Sequence, residues 1–333
     1  MTIRVALTHN SEDREAYFGR ALTALTNHPE VTVVTNPHQR DLTTDELIDL
    51  ASGAEVVIAH RSTPGDAQLF RSCPELMAFL RTAVDISTVD VDAATTAGVW
   101  VGHADKSFVP STAELALGLL IDAVRNLSAS RIDYRSGLIP PQRPGRQLAG
   151  MTAGIIGFGA IGSYLADLLH GVGLTVVVHD PKVVAPAPYQ NASLPELLNR
   201  ADVVIPLVPA AADTHHLINA DTLALMRPHT IVVNVSRGEV VDEDAVLDAL
   251  DRGHLAAFAC DVGSAADQRP NPALAVRDDV IATPHLGGLT PENADAQAMS
   301  AVEQVLAMID GHEPPRLANP SARSRFDLWR SRQ

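Results

Sequence analysis

Short apolar runs and amphipathic stretches alternate along the whole chain. Residues 3–8 and 31–35 read as strands, with an amphipathic segment at 12–26 between them. Val56–Ala59, residues 76–81 and residues 99–102 continue the series. Residues 111–126 hold no proline and one glycine, Gly118, and their apolar spacing predicts a long helix. Ser111 is its expected N-cap, with Glu114 completing a capping box. Residues 137–145, with Pro140, Pro141 and Pro144, read as a loop. A second alternation follows. Strands are expected at 153–157, 174–179, 202–207, 230–235, 256–261 and 280–283, and helices at 160–171, 193–200, 219–226, 242–252 and 291–310. Strands separated by helices predict an α/β protein built on parallel sheets, and six in one series predict a doubly wound sheet.

Composition narrows the picture. A chain of 333 residues fits about two domains of roughly 150 residues. It is 46% hydrophobic but only 4% aromatic, so aliphatic side chains must build the cores. A formal charge of −15 repels phosphate backbones and anionic lipids, which argues against nucleic-acid or membrane partners. The tail is the exception, with Arg323, Arg325, Arg330 and Arg332. It is expected either to lie on an acidic partner subunit or to fray. Cys73 and Cys260 are too few for a disulfide framework or a Cys-rich zinc site. His215 and His216 lack further ligands at metal spacing, so no metal is expected. No apolar run reaches the roughly 20 residues of a membrane span. The first residues read as a strand and not a signal peptide, so a cytoplasmic location is expected.

The chemistry begins at Gly157. An apolar strand runs into Gly157-Phe158-Gly159-Ala160-Ile161-Gly162. Gly157 permits a tight turn, Gly159 lets a pyrophosphate approach the backbone, and Gly162 lets the following helix pack on its strand. The N–H groups around Ala160 and Ile161 would then point at phosphates. A second strand ends at Asp180, 18 residues after Gly162. An acid there can accept from both ribose hydroxyls and repel a 2′-phosphate, so the coenzyme is expected to be NAD. Three later strand ends carry polar residues: Asn234 to Glu239, Cys260-Asp261, and Thr283-Pro284-His285-Leu286-Gly287-Gly288. In an open α/β sheet such ends converge on the ligand.

These motifs, with Arg81 to Asp90, Thr112-Ala113-Glu114 and residues 201–218, resemble the D-isomer-specific 2-hydroxyacid dehydrogenases over essentially residues 1–320. The resemblance implies two Rossmann-like doubly wound domains. A smaller, discontinuous substrate domain would comprise 1–104 plus 291–333, and an NAD-binding domain 105–290. It implies hydride transfer between NAD(H) and a D-2-hydroxy or 2-oxo acid, and a homodimer. Arg237 would bind the substrate carboxylate and oxo group through its planar fork of donors. His285 would act as general acid or base. Asp261 would bind the nicotinamide carboxamide, and the backbone of Val84 and Asp85 the substrate carboxylate. Val208, Pro209, Val235, Ser236, His285 and Gly288 would complete the coenzyme contacts.

The pattern also breaks. The family's glutamate partner of the histidine falls on Ala266, with Asp267 the only nearby acid. Asp267 would then serve as a shorter substitute, or the enzyme would work without the acid. Alternatively, the chain would be an NAD-binding sensor or regulator with little catalysis. Asp85 replaces a glycine of the family's substrate loop, where a carboxylate repels a substrate carboxylate unless neutralised. His103 and Lys106 are further polar departures, and Ala160 stands where a basic residue is common.

Overall fold

The computed structural model describes residues 2–332. The chain divides into two compact units, one formed by residues up to 107 with those from 291 onward, the other by Phe108–Thr290.

The first unit is a five-stranded parallel sheet: β1 (Ile3–Leu7), β2 (Val31–Thr35), β3 (Val56–Ala59), β4 (Ala78–Arg81) and β5 (Trp100–Gly102). Their spatial order is β2-β1-β3-β4-β5, a doubly wound arrangement. β3 and β4 are buried along their whole length, which is why they read as unbroken apolar runs. Helices Gly19–Thr26 and Pro291–Ile309 cover one face with Leu25, Ala298, Val302 and Val305. Helices Thr44–Ala51, Ala67–Ser72 and Val91–Ala97 cover the other.

The basic tail does not fray. It forms helix Ser324–Arg330, whose Phe326 is buried against Trp100 with ring centroids 4.7 Å apart. Arg325 donates to the carbonyls of Phe70, Cys73 and Leu76, so its charge is used inside its own unit.

The second unit carries β6 (Thr152–Ile156), β7 (Thr175–His179), β8 (Gln190–Asn191), β9 (Val203–Pro206), β10 (Thr230–Asn234), β11 (Leu255–Cys260) and β12 (Val280–Ala282). The order β12-β11-β10-β9-β6-β7-β8 reverses direction between β6 and β9, the switch point of a dinucleotide-binding sheet. β8 makes this a seven-stranded sheet where six strands were expected. Helices Val109–Arg125 and Ala160–Gly171 pack on one face through Ala116, Leu120, Leu165 and Leu169. The opposite face is covered by Leu194–Arg200, Ala220–Ala224 and Glu243–Asp251.

Ser111 is not an N-cap. The helix begins at Val109, because Pro110 suits the first turn, where its missing N–H is no loss. The Ser111 hydroxyl instead donates back to the Phe108 carbonyl at 3.0 Å.

Candidate functional site

The glycine loop sits at the switch point, and its geometry explains each glycine. Gly157 has φ +99°, and a Cβ there would lie 2.5 Å from the Leu207 carbonyl, beside Val208. A Cβ on Gly162 would be driven into the Gly157 carbonyl oxygen. Gly159 differs: nothing lies within 4 Å of the place its Cβ would occupy. Its open side and the first turn of Ala160–Gly171 form a cradle. No side chain caps that helix, so its first amides, around Ala160 and Ile161, are left for an anion. The residues present therefore fit the pyrophosphate of a dinucleotide.

Asp180 locks this loop to the end of β7. Its Oδ2 accepts from Phe158 N–H at 2.8 Å, and its Oδ1 from Lys182 and Val183 N–H at 2.8 and 2.9 Å. Burial pulls this carboxyl upward in pKa, but the three backbone donors outweigh it and hold it below the usual carboxylate range. An ionised carboxylate has about four acceptor positions. One on Oδ2 therefore remains for a ribose hydroxyl.

The later strand ends form a connected scaffold. Asn234, buried at the end of β10, gives its Nδ2 to the Arg237 carbonyl and accepts from Ser236 N–H and Oγ. Its carbonyl also accepts Asp261 N–H at 2.9 Å, tying the end of β10 to that of β11. Gly238 is a glycine because the Gly263 backbone lies against it. Val235 and Ser236 are buried within this turn, while Arg237 is exposed and donates to the neighbouring Ser236 carbonyl.

Asp261 is only 1% exposed, and its carboxylate points into the protein. Oδ1 accepts from Thr283 Oγ1 at 2.6 Å and Leu286 N–H at 2.7 Å, and Oδ2 from Gly287 N–H at 2.7 Å. It thus shapes the segment from Thr283 to Gly287, on which Gly288 follows. His285, at φ +60°, is held in that segment by N–H bonds to the Asp261 and Thr283 carbonyls. Cys260, next to Asp261, is no nucleophile: burial, reinforced by Glu243 and Asp261, pushes its thiol up to about 12.

Asp267 touches His285, but through its main chain. Its carbonyl lies 2.9 Å from His285 Nδ1. Its carboxylate is 82% exposed and lies 3.9 Å from Arg269. The short substitute carboxylate expected here is exposed, and it is the carbonyl of the same residue that meets the imidazole.

Val84 and Asp85 belong to the first unit, on the loop after β4. Asp85 Oδ1 accepts Ser87 N–H at 2.8 Å, so one carboxylate oxygen is turned onto its own loop. Sequence reasoning gave Arg81 no role of its own. Fully buried, it donates to the carbonyls of His60 and Arg61 and to Thr88 Oγ1, joining the loops after β3 and β4. Burial lowers its pKa to about 10, opposed by nearby Asp85. A charged residue inside an apolar strand was the available signal. His103 turns its Nδ1 to the Ala104 carbonyl, and Lys106 N–H bonds Asp105. His215 and His216 stack on a turn with centroids 4.0 Å apart. Among the described residues the one group spaced to hold a metal is Asp13, Asp41 and His60, in the first unit. No helix among them is long and apolar enough to cross a membrane.

Strand order, glycine loop and terminal acid together define the second unit as a dinucleotide-binding domain. The profile of the D-isomer specific 2-hydroxyacid dehydrogenase NAD binding domain matches residues 117–287. D-3-phosphoglycerate dehydrogenase of Mycobacterium bovis is 33% identical over 301 residues, covering 89% of this chain and 56% of that protein. The chain thus spans just over half the length of such relatives. Glyoxylate reductase of Thermococcus onnurineus is 30% identical over 309 residues, 89% of this chain and 91% of that one. The solved TT0316 protein of Thermus thermophilus superimposes with a TM-score of 0.81 at 32% identity, over 95% of this chain and 100% of that chain. The chain belongs to the D-isomer specific 2-hydroxyacid dehydrogenase family, and its second unit is the family's NAD-binding domain.

Proposed function

We propose that the protein interconverts a D-2-hydroxy acid and the corresponding 2-oxo acid. Bound NAD(H) supplies the hydride acceptor or donor. Arg237 offers the substrate's carboxylate and oxo group a planar, permanently charged set of donors, which no other exposed side chain of the Asn234–Arg237 turn provides. His285 takes the hydroxyl proton in oxidation and returns it to the oxo oxygen in reduction. Asp261 acts on this chemistry by shaping the His285 loop.

The observation that carries the reading is the scaffold of Asn234 and Asp261. Two buried side chains are committed to holding the Arg237 and His285 loops at one end of one sheet. A fully satisfied buried polar network rigidifies the segments it joins, which is what two catalytic side chains on separate loops require. A panel of 2-oxo acids supplied with NADH tests it: at least one should be reduced, with loss of NADH absorbance. If none is, the second reading stands, an NAD-binding sensor or regulator. Ala266 in place of the family's glutamate, with the Asp267 carboxylate turned outward, is what favours that second reading.

A cytoplasmic homodimer built on the second unit completes the proposal. Helix Leu127–Arg135 buries no residue, and Leu127, Ile132, Tyr134, Leu138 and Ile139 are all exposed along it and the following loop. Such an apolar patch supports self-association, and light scattering should return twice the chain mass.

A further inference from the structure

We propose that the main-chain carbonyl of Asp267 is the positioning partner of His285, fixing the ring as the Nδ1–H tautomer with Nε2 free to exchange a proton. A carbonyl oxygen can only accept. At 2.9 Å from Nδ1, it requires that nitrogen to carry the hydrogen. In the neutral ring Nε2 is then an unprotonated acceptor. The task usually given to a carboxylate, choosing tautomer and ring orientation, is performed here without an acidic side chain.

The loop is built to present that carbonyl. Asp267 and Gln268 both adopt left-handed backbone, at φ +57° and +55°. Two non-glycine residues in this region are costly unless the surroundings over-determine them. The surroundings do so. Gly263 N–H donates to the Gln268 carbonyl, Ala265 N–H to the Arg269 carbonyl, and Gln268 Nε2 to Glu239. Ser264 is clamped through its N–H and hydroxyl by Glu243. The loop is thereby tied to the segment that follows Arg237.

The consequence for the reaction rests on the function proposed above. In oxidation Nε2 takes the substrate hydroxyl proton while Nδ1 keeps its own, and the hydride leaves carbon 2 for bound NAD. In reduction the imidazolium returns the Nε2 proton to the oxo oxygen. An uncharged acceptor orients the ring in both states without adding a carboxylate's attraction for the imidazolium. Ala266 is then no defect, because the neighbouring main chain does the orienting.

The test is the imidazole nitrogen spectrum of uniformly 15N-labelled full-length protein, with His285 assigned by the resonances missing from His285→Gln. At a pH where the ring is neutral, wild type should show protonated Nδ1 and unprotonated Nε2. Asp267→Gly removes the carboxylate, tolerates positive φ, and should leave the pattern unchanged. Asp267→Pro cannot reach φ +57° and should lose it, giving the Nε2–H form or a mixture. A wild-type Nε2–H ring, an altered pattern in Asp267→Gly, or an unchanged one in folded Asp267→Pro would each overturn the proposal. The spectrum needs neither substrate nor coenzyme, so it decides the tautomer even if no 2-oxo acid is turned over.

Discussion

Asp261 Oδ2 accepts the Gly287 N–H at 2.7 Å, from a carboxylate almost wholly removed from solvent. This bond and its two companions on Oδ1 make Asp261 the internal brace of the His285 loop. In Asp261→Ala the Leu286 and Gly287 N–H groups and the Thr283 hydroxyl lose their acceptor. A buried donor left unsatisfied costs about 1–3 kcal/mol. Urea denaturation should therefore show a loss of at least about 2 kcal/mol, and an unchanged midpoint would refute the brace.

Gly159 and Gly162 separate coenzyme binding from folding. Alanine at 162 meets the Gly157 carbonyl, a backbone atom that cannot move aside cheaply, so both melting temperature and NADH affinity should fall. Alanine at 159 enters open space, so the melting temperature should hold. Its methyl group would occupy the side reserved for the pyrophosphate, weakening NADH binding by about tenfold or more, roughly 1.4 kcal/mol. Calorimetric titration with NADH beside thermal melts reads both, and tight NADH binding by Gly159→Ala would contradict the cradle.

His9 gives the first unit a dependence on pH. It lies just past β1, 3% exposed, with Nε2 3.2 Å from Thr82 Oγ1 and, among the described residues, no hydrogen-bond partner for Nδ1. Burial, and then the charges of His60 and Arg14, lower its pKa from 6.5 to about 3. The folded state keeps this ring neutral while the unfolded chain protonates it. Its contribution is therefore complete above pH 6.5 and is lost as pH falls towards about 3, at about 1.4 kcal/mol per pH unit. His60, lowered chiefly by burial, acts in the same direction. Denaturation between pH 7 and 4 should show this slope, and His9→Gln should flatten it by about one proton's worth. An identical slope in the variant would exclude His9 as its source.

Much of this was legible in the sequence for identifiable reasons. Buried parallel strands must be apolar throughout, so Val56–Ala59 and Val203–Pro206 announce themselves. The glycine loop and Asp180 are fixed in spacing by the ligand they fit. β8 was missed because an exposed two-residue edge strand, Gln190–Asn191, has no apolar signature. The helix in the tail gave no signal because one buried phenylalanine, Phe326, anchors an otherwise basic and polar segment. The Asp267 carbonyl could not be read at all. Main-chain acceptors are common to all residues, and only the backbone angles single out this one.

The roles of Arg237 and His285 are tested most directly by steady-state reduction of an active 2-oxo acid, with NADH binding measured on the same preparations. His285→Ala should lower kcat by about 10²–10⁴-fold, and Arg237→Ala should lower kcat/KM by about 100-fold or more. Arg237→Ala should bind NADH close to wild type, and His285→Ala should still bind it measurably. Wild-type turnover in either variant, with the coenzyme bound and the protein folded, would contradict the assignment.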